Sequence, residues 1–99
     1  MPFDLMWSQV AESDLDEIWY SIAVDDPQAA DRQLDRIMSV LQKLCDYPEM
    51  GRVRLDIAPD LRGIAKDNYL MLYRANTRLK QVKIIRIIHA KRDIAALFQ

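Results

Sequence analysis

The only histidine in these 99 residues, His89, opens the run His89-Ala90-Lys91-Arg92-Asp93. An imidazole in that company can serve as general base on a phosphodiester, with Arg92 steadying the phosphate and Asp93 orienting the ring. A strand-end histidine satisfied by backbone or by Asp93 is the simpler structural reading. Other chemistries find less to work with. Cys45, the one cysteine, cannot form an internal disulfide or a zinc cluster, and its place in an apolar helical stripe makes it a small core residue. Ser8, Ser13, Ser21 and Ser39 all lie far in sequence from His89, so no nucleophile and base are paired. Asp14, Asp16 and Glu17 lack metal-ligand spacing and read as a solvated helix face. With only Gly51 and Gly63 in the chain, a glycine-rich phosphate loop is excluded. No metal and no cofactor is expected.

The most distinctive set is Arg52, Arg54, Arg62, Arg74, Arg86 and Arg92. The planar guanidinium matches carboxylate and phosphate bidentately, so arginines on adjacent strands suit a nucleic-acid backbone or an acidic peptide. For Arg74 and Arg86, internal pairing with helical acids is an equal alternative. Aromatic residues are too few for base stacking to be the main mode of contact. Trp19 belongs to a buried stripe by spacing, Tyr20 points away from it, and Tyr69 and Tyr73 read as sheet-packing residues with hydroxyls near the rim.

The net charge of −1 hides two opposed halves. Residues 1–50 hold eleven acids against three bases, a net −8, and residues 51–99 hold eleven bases against four acids, a net +7. That asymmetry gives the domain a strong dipole and a positive surface able to attract an anionic partner. A length of 99 residues, 51% hydrophobic and 29% charged, describes one soluble domain over 1–99. No apolar run reaches the ~20 residues of a membrane span, and the start lacks the pattern of a signal peptide, so a cytoplasmic protein with no membrane partner is expected.

These residues must be positioned by a small α+β fold. Phe3, Leu5 and Trp7 alternate as a short first strand. Leu15, Ile18, Trp19 and Ile22 fall at helical spacing after Ser8, and Asp26-Pro27 caps and starts a second helix carrying Ala30, Leu34, Ile37, Met38, Leu41, Leu44 and Cys45. Helices over 8–24 and 27–46 therefore pair as an antiparallel hairpin. The turn Tyr47-Pro48-Glu49-Met50-Gly51-Arg52 ends the helical period. Strands over 61–65, 69–75 and 82–89 follow as an antiparallel meander, with Val53, Leu55 and Ile57 in an ordered loop or edge segment and 93–98 as a short C-terminal helix. By alternation Arg86 shares a face with Ile84 and Ile88, and Arg74 with Leu70 and Leu72. Both sheet faces are thus apolar in part, and the second needs a cover, either the C-terminal segment or a partner.

The order of these blocks resembles the ParE branch of the RelE/ParE toxin superfamily. The likeness is carried by Asp14-Leu15-Asp16-Glu17-Ile18-Trp19, Asp26-Pro27, the Tyr47 to Arg52 turn, Leu61-Arg62, Tyr69 to Arg74, Ile84 to His89 and Arg92-Asp93, and spans nearly the whole chain. It implies a type II toxin with a helical hairpin packed on a twisted antiparallel sheet, neutralised by a ParD-like antitoxin and directed at DNA gyrase. It further implies no sequence-specific DNA binding by this chain alone. Arg52, Arg62, Tyr73, Arg74, Arg86, Leu15 and Trp19 are the implied antitoxin contacts, and Arg92, Leu97 and Phe98 the implied target contacts. The RelE branch cleaves messenger RNA in the ribosome. Where those nucleases carry basic residues, this chain has Leu61, Gly63 and Leu70, which favours toxicity by binding. Under the alternative, ribonuclease reading, His89 and Arg92 carry the chemistry.

Overall fold

The structure is a computed structural model that describes residues 1–91. The expected helix over 93–98, with Arg92, Leu97 and Phe98, lies outside the described residues.

Strand β1 (Asp4–Trp7) leads into helix α1 (Gln9–Ala23) and helix α2 (Pro27–Asp46). Strands β2 (Arg52–Val53), β3 (Arg62–Lys66), β4 (Tyr69–Asn76) and β5 (Gln81–His89) follow. The Ser8 side chain accepts from the Ala11 amide at 3.0 Å and so starts α1, while its hydroxyl donates to the Ile85 carbonyl at 2.8 Å and ties that helix to the sheet. The Asp26 carboxylate accepts from the amides of Gln28 and Ala29, both at 3.1 Å, with Pro27 in the first turn where its missing N–H costs nothing. The hairpin is therefore capped by the residues the sequence offers for it.

The five strands form one sheet in the order β1-β5-β4-β3-β2. Every pairing is antiparallel except β1 with β5, which runs parallel from Asp4↔Gln81 to Trp7↔Ile84. The α+β reading holds, and the parallel ladder is the feature that alternation in the sequence does not disclose. The main core lies between hairpin and sheet, where Ala11, Ile18, Ile37, Leu41 and Leu44 meet Met71, Tyr73, Val82, Ile84 and Ile87. Each such large apolar side chain contributes about 1.5–3 kcal/mol by leaving water.

Two expectations need correction. The strict alternation assigned to β5 fails because the ladder slips between Leu72↔Arg86 and Tyr73↔Ile84, leaving Ile85 unopposed. This bulge resets the parity, so that Ile84 and Ile87 both reach the helix-side core, while Ile85 and Ile88 join the opposite face. That second face is covered, among the described residues, by the segment between β2 and β3: Ile57, Ala58 and Leu61 close over Leu70, Leu72 and Ile88. The segment holds its shape through Arg54 N–H to Leu61 carbonyl at 2.7 Å and tight turns at Ile57 and Ala58.

Candidate functional site: a cationic groove, an ion-pair anchor and a histidine cleft

The arginines singled out in the sequence divide between internal work and free surface. Beyond Trp7, β1 ends and the outer edge of β5 has lost its neighbour. Asp14 of α1 fills that gap. Its carboxylate accepts from Arg86 Nε at 2.8 Å and Nη2 at 3.1 Å, and from the Ile87 amide at 2.9 Å. Side-chain exposures of 19% for Arg86 and 9% for Asp14 make this a largely buried pair, and the carboxylate holds the guanidinium above its ordinary pKa. Arg86 is thus committed to holding α1 against the sheet. Asp14 is buried and not part of a solvated face, and its spacing signals this: with Ala11 and Ile18 it falls on the buried stripe at i, i+3, i+7.

Tyr73 is equally occupied. It is fully buried, its hydroxyl donates to the Pro48 carbonyl at 2.8 Å and accepts from the Gly51 amide at 2.8 Å. Burial pushes the phenol up from its ordinary pKa. A Cβ on Gly51 would lie 2.6 Å from both the ring and the hydroxyl, so the glycine is needed for this close approach. Arg62 braces the same turn by donating to the Gly51 carbonyl at 2.8 Å and the Glu49 carbonyl at 3.3 Å. Arg54 forms a bidentate pair with Asp56 at 3.0 and 2.9 Å, and that carboxyl is held below its ordinary pKa by the guanidinium.

Arg62 and Arg74 nonetheless meet in an open groove of about 450 Å³ with Val53, Leu55 and Asp60. Arg52 and Arg54 line a separate depression of about 340 Å³ with Met50, Gly63 and Ile64. Neither Arg52 nor Arg74 has an ion-pair partner among the described residues. Around these cations Tyr47, Met50, Val53 and Leu55 are exposed, Leu55 by 76%. Apolar anchors beside unpaired guanidinium groups form a surface suited to an amphipathic acidic segment. The apolar members were not singled out from the sequence, because exposure is not visible in residue type.

The two helical candidates lie elsewhere. Leu15 lines a shallow groove of about 400 Å³ with Trp7, Glu12, Asp16 and Leu34, and Trp19 donates its indole N–H to Asp31 at 2.8 Å. They do not join the arginine groove. His89 sits in a third place, a cleft of about 210 Å³ lined by Asp14, Glu17, Ile18, Ser21, Tyr69, Ile87 and Ile88. Its ring meets Tyr69 edge to face with centroids 5.5 Å apart, and its Nδ1 accepts a long contact from the Lys91 amide at 3.3 Å. Among the described residues the charged groups that line this cleft are the carboxylates of Asp14 and Glu17. Among the described residues no set of side chains could hold a metal ion, and no helix is long and apolar enough to cross a membrane.

Comparison with known proteins gives this arrangement a context. Toxin ParE3 of Caulobacter vibrioides is 34% identical over 84 residues, covering 84% of this chain and 82% of that protein. A chain of the chromosomal ParDE toxin–antitoxin system from P. aeruginosa shares the fold with a TM-score of 0.75 at 23% identity, covering 90% of this chain and 97% of its own. A mutant of E. coli toxin RelE in the free state does so with a TM-score of 0.69 at 15% identity, covering 99% and 94%. The family model for the ParE toxin of the type II toxin–antitoxin system, parDE, matches residues 5–94. A match of that extent, on a hairpin-and-sheet fold with these surfaces, establishes that the chain belongs to the ParE family of type II toxins.

Proposed function

We propose that this toxin acts by binding DNA gyrase and is neutralised by a ParD-like antitoxin whose acidic, partly apolar tail occupies the groove of Arg62 and Arg74 and reaches the separate depression at Arg52. The observation that carries the non-catalytic reading is the lining of the histidine cleft. Metal-free phosphodiester cleavage needs a base, an acid and cations around the phosphate. Among the described residues the charged groups that line the cleft with His89 are Asp14 and Glu17, and the guanidinium beside Asp14, that of Arg86, is spent on that carboxylate. A phosphate placed there meets like charge. Leu61, Gly63 and Leu70 also leave the sheet without cations at the positions where nucleases of the fold carry them. The antitoxin reading draws support from the exposed apolar residues that flank the free arginines. In this reading Tyr73 supports the turn beside Arg62 from inside and Arg86 holds α1 against the sheet, whereas Leu15 and Trp19 offer a separate docking line on the hairpin.

The test is a gyrase supercoiling assay with purified toxin, run beside a translation reaction in which message integrity is followed. Loss of supercoiling with intact message is the expected result. Cutting of ribosome-bound message with supercoiling unaffected transfers the function to His89 and the ribonuclease reading.

A further inference from the structure

The hairpin of β4 and β5 carries a second cationic surface that shares only Arg74 with the antitoxin groove. Residues 74–83 hold Arg74, Arg78, Lys80 and Lys83 and no acid. Arg74 stands directly opposite Lys83 in the ladder. Like charges at facing positions repel, so this pairing costs stability in the isolated protein. Arg78, Lys80 and Lys83 are exposed, and none of the four has an ion-pair partner among the described residues. Asp4, opposite Gln81, and Asp60, in the groove beside Arg74, are the nearby carboxylates, and neither pairs with them. Lys80 even adopts a left-handed backbone with φ of 53°, where glycine or asparagine would sit more easily.

We infer that this hairpin is a sequence-independent contact for the sugar–phosphate backbone of duplex DNA. Same-face residues along a strand are about 7 Å apart and neighbouring strands about 4.8 Å apart, so the four cations spread over the turn end of the β4–β5 hairpin, which β1 flanks on one side, and can meet phosphates along a backbone without entering a groove. Single-stranded binding surfaces add aromatic platforms, and residues 74–83 contain no aromatic side chain. An acidic peptide would want apolar anchors, and the stretch exposes one large apolar residue, Leu79. The net −8 of residues 1–50, most of it on the helical hairpin, turns that layer away from a polyanion and leaves the ribbon to face it. Contact to phosphates alone confers no base preference.

Fluorescence anisotropy of a labelled duplex of about 20 base pairs, titrated with the purified full chain at rising NaCl, tests this directly and without gyrase. Four phosphate contacts give a slope of log K against log salt of about −3.6, a loss of roughly 100-fold between 50 and 200 mM. The triple variant Arg78→Gln, Lys80→Asn, Lys83→Gln changes only exposed side chains and is expected to shrink the slope to about −0.9. Arg32→Gln, on the helical layer, should leave the slope as it was. Absence of duplex binding at 50 mM salt, a triple variant with the parent's slope, or tighter binding of a single-stranded RNA of equal length or of polyglutamate would each overturn the proposal.

Discussion

At the scale of single residues, two side chains carry more than their types announce. Asp14 answers three donors at once, two on Arg86 and one on the Ile87 backbone. Removing one partner of such a pair leaves a poorly solvated charge behind, which costs far more than an exposed salt bridge returns. Asp14→Ala is expected to lower stability by about 3 kcal/mol in urea denaturation, because it strands both a guanidinium and an amide. Tyr73→Phe keeps the ring in place but leaves the Gly51 amide without its acceptor, and should cost about 1–3 kcal/mol by the same measurement. Equal stability of Tyr73→Phe and the parent would mean that water replaces the hydroxyl, and would remove this hydrogen bond as the reason for the turn's shape. Pairing of Arg86 with a helical acid was open in the sequence, but neither the choice of Asp14 nor the role of the Tyr73 hydroxyl was. Both depend on which distant carbonyl or amide a side chain reaches, and a one-dimensional pattern carries no such information.

At the scale of elements, the helices were the most readable part, since their caps and stripes are local. The spacing gives 8–24 and 27–46, and the structure gives Gln9–Ala23 and Pro27–Asp46. The meander was legible for the same reason, with turn residues between apolar runs. What escaped was the bulge at Ile85, which arises from the ladder to β4 rather than from β5 alone, and the cover over the second sheet face. The Lys66-Asp67-Asn68 turn shows how an element is pinned from afar. Asp67, with φ of 56°, accepts from Gln33 at 3.1 Å and Arg36 at 3.0 Å, both on α2. These hydrogen bonds, Gln33's first and Arg36's next, hold its carboxyl below the ordinary 3.8. A carboxylate with a lowered folded pKa stabilises above the unfolded value, and its contribution disappears as pH falls through the folded one. Stability measured by thermal melting should therefore fall on acidification below about pH 4, and Asp67→Asn should flatten that limb while lowering the melting temperature at neutral pH.

At the scale of the whole molecule, the division of charge was visible before any fold was known, and the structure gives it layers: acids on the hairpin, bases on and around the sheet. Long-range fields of this kind act on encounter more than on the final affinity. If the antitoxin tail is acidic, its association rate with this toxin should drop steeply between low and physiological salt while dissociation changes little. Stopped-flow mixing at several ionic strengths checks this, and Arg52→Glu should reproduce the high-salt rate at low salt. Of the implied antitoxin contacts, Arg62 and Arg74 share one groove and Arg52 lines a separate depression, while Arg86 is held by a partner on α1, a distinction that residue type alone does not make.

The parallel ladder between the first strand and the last has a consequence for how the toxin comes into being. Ser8 and Ile85, joined at its end, are 77 residues apart in the chain. Contacts of such long separation form late, and during vectorial synthesis they wait for the final strand to be made. A nascent chain therefore cannot close its sheet along β1 until β5 has been made.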